Sequence, residues 1–127
     1  MTFIPDLAAE IEIPTDGILS RVLYRDHRIR LVGFGFDRGQ ELTEHTANRA
    51  AVVQVVTGRL QVTVEGRTHE LGPTSWLLIP ADAPHSVTAA EPTVMLLTLI
   101  ADRQGGGPTP APSSTPAAEA LGRPRTS

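Results

Sequence analysis

Two histidines, His45 and His85, stand forty residues apart in this chain, each flanked by β-branched and aliphatic runs, and they are the side chains best suited to chemistry. A neutral imidazole donates one hydrogen bond and accepts another, ligates divalent transition metals and moves a proton near pH 7. A pair held together therefore suits metal binding, ligand orientation or acid–base work. Glu44, which adjoins His45, and Asp82, just before His85, are the nearest candidates for a third ligand. The chain has no cysteine, which removes thiolate ligands, Cys nucleophiles and disulfides together. All 11 basic residues are arginine, which excludes Schiff-base chemistry and lysine-based phosphate loops. His27, within Arg25-Asp-His-Arg28, reads as an exposed turn residue, and His69, beside Glu70, as a surface residue.

The elements that must hold the pair are strands. Turn residues punctuate short β-branched runs at the spacing of a sandwich or barrel. Strands are expected near Ile11 to Ile13, Leu19 to Arg25, Ile29 to Phe36, Glu41 to Thr46, Val52 to Thr57, Leu60 to Val64, Thr68 to Leu71, Ser75 to Ile79, His85 to Ala89 and Val94 to Ile100. Only Leu7 to Glu10 reads as helical. Thr57-Gly58-Arg59 and Glu65-Gly66-Arg67 are expected to be tight hairpin turns, with glycine supplying the positive backbone angle. Side chains alternate between faces along a strand, so an extended segment puts positions 45 and 47 on one face and Glu44 on the other unless a bulge intervenes. The same count places Glu41 on the face of His45, about 13 Å away and out of range of a shared ion. It also makes Ala51, Val53 and Val55 an inward set and turns Gln54 outward.

The segment Gly39-Gln-Glu-Leu-Thr-Glu-His45-Thr-Ala47, running on to Gly58, together with Thr74-Ser-Trp-Leu-Leu-Ile-Pro80-Ala-Asp82-Ala-Pro-His85, resembles the two cupin motifs. Gly39, His45 and Gly58 match the first motif, while Ala47 takes the place of its second histidine and Ala51 that of its glutamate. Pro80 and His85 match the second motif, where Thr74 and Asp82 replace glycines. The resemblance covers roughly residues 17 to 100 and is nearest to small single-domain bacterial cupins, a group whose biochemical roles are mostly unassigned. It implies an all-β, antiparallel jelly-roll barrel, the double-stranded β-helix, with His45 and His85 facing inward as the surviving half of a four-ligand metal site. The cofactor it implies is either none or a weakly bound divalent transition metal.

Composition bounds the remaining choices. A chain of 127 residues is one domain's worth, here expected as an N-terminal arm over 1–16, a barrel over 17–101 and a tail over 102–127. The tail, rich in Gly, Pro, Ser and Ala, has a composition that cannot bury a core and is expected to be disordered. A formal charge of -3 without a basic block argues against nucleic acid, and no apolar run approaches a membrane span. The absence of cysteine fits a cytoplasmic setting. The last strand, Val94 to Ile100, is apolar on both faces, and Val52 and Val56 are apolar on the outer one. A partner subunit would cover that face, so a homodimer is expected, with Trp76 either in the core or anchoring the interface. Two functions fit. One is a small-molecule binding or sensing barrel, its cavity lined by Ala47, Ala51, Val53 and Leu77 and oriented by His45 and His85, with Arg49 at the mouth to meet a carboxylate. The other is a metal-dependent dioxygenase or isomerase in which His45 and His85 hold a divalent ion.

Overall fold

The computed structural model describes residues 1–101; the tail expected over 102–127 lies outside the described residues. Among the described residues, nine strands follow a single 3-10 turn over Leu7–Glu10: β1 (Ile18–Arg25), β2 (Ile29–Phe36), β3 (Glu41–His45), β4 (Ala50–Thr57), β5 (Leu60–Val64), β6 (Arg67–Leu71), β7 (Trp76–Ile79), β8 (His85–Ala89) and β9 (Thr93–Ile100). They form two antiparallel sheets, one in the order β1-β2-β9-β4-β7 and one in the order β3-β8-β5-β6. This is the all-β jelly-roll arrangement expected.

The core lies between the two sheets, where one face of each strand points. Val32, Phe34 and Phe36 of β2 lie with Val53 and Val55 of β4 and Met95, Leu97 and Leu99 of β9 on one sheet, in one cluster with Leu60, Val62 and Val87 of the opposite sheet, all almost fully buried. The Phe34 and Phe36 rings stack at 5.9 Å. Each such side chain contributes roughly 1.5–3 kcal/mol by leaving water, enough for the ladders to close around a dry interior.

Two expected elements differ. Residues 11–13 are extended but join no ladder. They cross the outer face of the larger sheet, where Gly33 and Gly35 leave a channel: a Cβ on Gly35 would lie 2.1 Å from the Glu12 carbonyl oxygen, and one on Gly33 would meet Ile11. A segment lying over a sheet offers its backbone to no strand edge, so alternation alone cannot separate it from a strand. The turn at Gly58 is not a hairpin either. β4 and β5 belong to different sheets, so Gly58 makes the corner between them, at φ 94° and hard against Pro92 and Thr93. Glu65-Gly66 is the tight hairpin expected, with φ 50° and 82° at its two central residues.

Candidate functional site

The chain's connections gather one end of the barrel around the histidines. β3 hands over to β4 through residues 46–49, β7 to β8 through 80–84, and β5 to β6 through Glu65-Gly66. These three loops are tied together: the Asp82 N–H donates to the Ala47 carbonyl at 2.7 Å, and the Glu65 N–H donates to the Pro84 carbonyl at 2.9 Å. His45 ends β3 and His85 begins β8, and the two are register partners, with Val64 on the far side of His85.

A bulge aims His45 inward. From Leu42 to His45 is three steps on β3, against two steps from Val87 to His85 on β8, so β3 carries one extra residue. Leu42 is buried and His45 follows it onto the same face. The bulge reverses the face inferred for Glu41, which pairs with Thr88 on the exposed side and accepts a hydrogen bond from its hydroxyl. Glu44 is exposed as well, and Asp82 is exposed in its loop, so neither reaches the pair. Among the described residues no three His, Cys, Asp or Glu side chains form a group able to hold a metal.

The imidazoles are arranged alike. Each Nδ1 lies against a backbone carbonyl two residues earlier, His45 on Thr43 at 2.6 Å and His85 on Ala83 at 2.8 Å. A carbonyl oxygen only accepts, so each Nδ1 carries the proton and each Nε2 of the neutral ring is a bare acceptor. Both Nε2 atoms are buried and without a hydrogen-bond partner, and the rings meet edge to face with centroids 4.3 Å apart. Burial holds His45 below the ordinary histidine value against the opposing pull of the Thr43 carbonyl, and a charge on His85 lowers it further. No protein group meets either Nε2, so each takes its partner from solvent or a ligand, since going without one costs about 1–3 kcal/mol.

The other expected site residues are distributed around this pair. Ala51 is buried on the inner face of β4 at the same end of the barrel, beside Leu99 and Ile79. Val53 and Leu77 are register partners one step deeper, where Val53 belongs to the core and Leu77 packs against it. Ala47 and Arg49 sit half-buried in the 46–49 loop at the rim. His27 and His69 are exposed, as expected. Trp76 lies on the outer face, 62% exposed, which removes the core alternative. A shallow groove lined by Glu10, Ile11, Glu12, Leu19 and Arg21 also lies on the outer face, where Arg21 is already paired with Glu10.

Sequence reasoning missed Arg30. It shares the parity of Val32, Phe34 and Phe36 on β2, aligns with Leu99, and keeps its Nε shielded from solvent at the histidine end of the barrel. The alternation of β2 carried that signal, since the buried positions 32, 34 and 36 extend back to 30.

Among the described residues, the two histidines are all that this site could offer a metal. Two bare Nε2 atoms with fixed tautomers are what a divalent transition ion takes from histidine. Ala47 and Ala51 offer nothing further, so solvent or a ligand would complete the coordination shell.

Comparison with known proteins agrees with this architecture. The chain is similar to a conserved protein of unknown function from Streptococcus pyogenes, with 29% identity over 79% of this chain and 88% of that one and a TM-score of 0.72. It is similar also to KdgF from Halomonas sp., with 27% identity over 69% of this chain and 83% of that one and a TM-score of 0.62. A cupin superfamily protein from Desulfitobacterium hafniense shares the fold at a TM-score of 0.72, with 24% identity over 76% of this chain and 88% of that one. No curated protein matches the chain significantly. The model of the cupin domain family matches residues 34–100, more than half of the sequence, and the chain therefore belongs to the cupin domain family.

Proposed function

We propose that this cupin binds a small molecule at the mouth of its barrel, gripped by the Nε2 atoms of His45 and His85, and acts as a binding or sensing module. The observation that carries the reading is the pair of buried, unpartnered Nε2 acceptors. Native proteins seldom leave such atoms unsatisfied, and two on register-paired residues, with ring centroids 4.3 Å apart, are best explained by a partner that arrives from outside. Ala47 and Ala51 keep the surroundings small where a bulkier side chain would fill them. The reading sets the protein in the cytoplasm, which its cysteine-free sequence suits. It also makes the protein a homodimer joined through the exposed apolar outer strip of Trp76 and Leu78.

The same Nε2 pair favours a second reading, a metal-dependent dioxygenase or isomerase. A bound divalent ion would polarise the substrate or activate oxygen, and this chain's part would be to hold it through His45 and His85. Native mass spectrometry and elemental analysis of the untagged protein, beside a His45→Ala, His85→Ala double variant with an unchanged fold, separate the two. A stoichiometric organic adduct that the variant lacks supports the binding barrel, and a stoichiometric metal that the variant lacks supports the enzyme. Equal adducts on both proteins would count against any role for the pair.

A further inference from the structure

We infer that the ligand enters this site as a neutral donor of two hydrogen bonds, a small molecule with hydroxyls on neighbouring carbons, one O–H given to the Nε2 of His45 and the other to the Nε2 of His85. This inference rests on the binding role given to the histidine pair above and adds the polarity of what it binds.

The backbone fixes that polarity. Each Nδ1–H is committed to a carbonyl two residues earlier, that of Thr43 for His45 and that of Ala83 for His85. A carbonyl only accepts, so each neutral ring keeps a lone pair and no proton at Nε2. Turning either ring over would put a carbon in place of Nδ1 and break that bond, so the rings hold their lone pairs where they are. His85 is almost fully buried, and no protein group meets either Nε2. The two residues are register partners with ring centroids 4.3 Å apart, close enough for one small molecule to serve both.

Of the charge states a ligand can bring, only the neutral one suits two fixed lone pairs. A carboxylate sets lone pairs against lone pairs and gives up its hydration without return. An ammonium brings donors but buries a full charge, and no carboxylate answers it: Glu44 and Asp82 are exposed, and among the described residues no acidic side chain groups with the two histidines. A hydroxyl donates without carrying a charge. Two of them on adjacent carbons answer the two acceptors, while the carbon skeleton suits the apolar side chains at this end of the barrel, Ala51, Ile79 and Leu99.

The test follows the imidazole nitrogen-15 resonances of His45 and His85 in the full chain, in chelator-treated buffer at about pH 7.5. The probes share one skeleton: propane-1,2-diol and glycerol beside 1-propanol, 1,2-dimethoxypropane, propionate and propylammonium. The low-molecular-weight extract of producing cells is added as neutral, anionic and cationic fractions, the neutral one also after periodate, which cleaves the bond between adjacent hydroxyl-bearing carbons. The diols are expected to move both Nε2 resonances saturably and to bind about tenfold tighter than 1-propanol, the value of one further hydrogen bond to a buried acceptor, while the ether and the two ions leave them fixed. The neutral fraction should move both resonances and lose that power with periodate, and this result decides where no probe binds. Propanol or either ion binding as tightly as the diols, or an active fraction that is charged or survives periodate, would overturn the inference and leave the binding barrel standing. If neither the probes nor any fraction moves Nε2, both readings fall.

Discussion

At the residue scale, the site exists because two imidazoles are held in one tautomer and given nothing to accept from. Both conditions come from the backbone: carbonyls two residues earlier take the Nδ1 protons, and paired strands bring the rings together. The pH dependence follows with a definite sign. His45 in the fold lies below the ordinary value of 6.5, so as pH falls the unfolded chain takes the proton first. Stability should be complete above about pH 6.5 and decline below it, which urea midpoints between pH 7.5 and 5 will show as a slope that His45→Ala flattens. A wild-type midpoint constant across that range would contradict the burial of the ring. Asp26 acts in the opposite pH region: the Tyr24 hydroxyl, with the Ile29 and Arg28 N–H groups, lowers it from 3.8 to about 2, so its contribution is present above 3.8 and lost toward 2. Two other residues carry strain. Thr74 and Asp82 stand where the cupin motif has glycine, and both keep the glycine backbone, at φ 75° and 65°. An L-residue costs about 1–2 kcal/mol in that region, part of which glycine returns as chain entropy. Thr74→Gly and Asp82→Gly should therefore each stabilise the protein by up to about 1 kcal/mol, measured by urea unfolding; a loss of stability in both would refute the strain account.

At the scale of elements, the strands were legible because buried and exposed residues alternate along them, and the nine found match nine of the ten expected to within two residues. What was not legible depends on a third dimension that alternation lacks. The bulge in β3 shifts parity by one, so the count from Glu41 to His45 put the glutamate on the wrong face, while the extra residue between Leu42 and His45 brought the histidine inward. The 11–13 segment has strand composition because it needs an apolar underside, and only the channel over Gly33 and Gly35 distinguishes it from an edge strand. That channel is testable. Gly35→Ala places a methyl against the Glu12 carbonyl and should cost about 1–3 kcal/mol, release the N-terminal arm and expose it to limited proteolysis. A variant with an arm as protected as in wild type would show that the arm is held elsewhere. The histidine pair was legible as two motif positions, but its tautomers and its orphaned acceptors required the fold.

At the scale of the molecule, the two sheets serve different purposes. The smaller sheet supplies both histidines, and the larger supplies Ala51 and most of the apolar wall. The outer side of the last strand, with Val52 and Val56, was expected to be covered by a partner subunit. Instead the chain's own arm lies over part of it, and Val94 and Leu96, beside the glycine channel, are buried in the single chain. Apolar side chains remain exposed on the sheet at Leu19, Ile29 and Ile100 and, most of all, along the edge strand at Trp76 and Leu78. Light scattering at micromolar concentration should give twice the 13.6 kDa chain mass, reduced to one chain by a Trp76→Glu, Leu78→Glu double variant; a monomeric native protein would contradict the dimer. The whole account turns on the two bare nitrogens, and long-range proton–nitrogen NMR of the imidazoles tests it most directly, with spectra recorded before and after addition of the small-molecule extract of the producing cells. The account predicts that both rings carry the proton on Nδ1, with Nε2 unprotonated, and that the two Nε2 resonances move together when the extract is added. Rings protonated on Nε2, or Nε2 resonances that stay fixed, would contradict it.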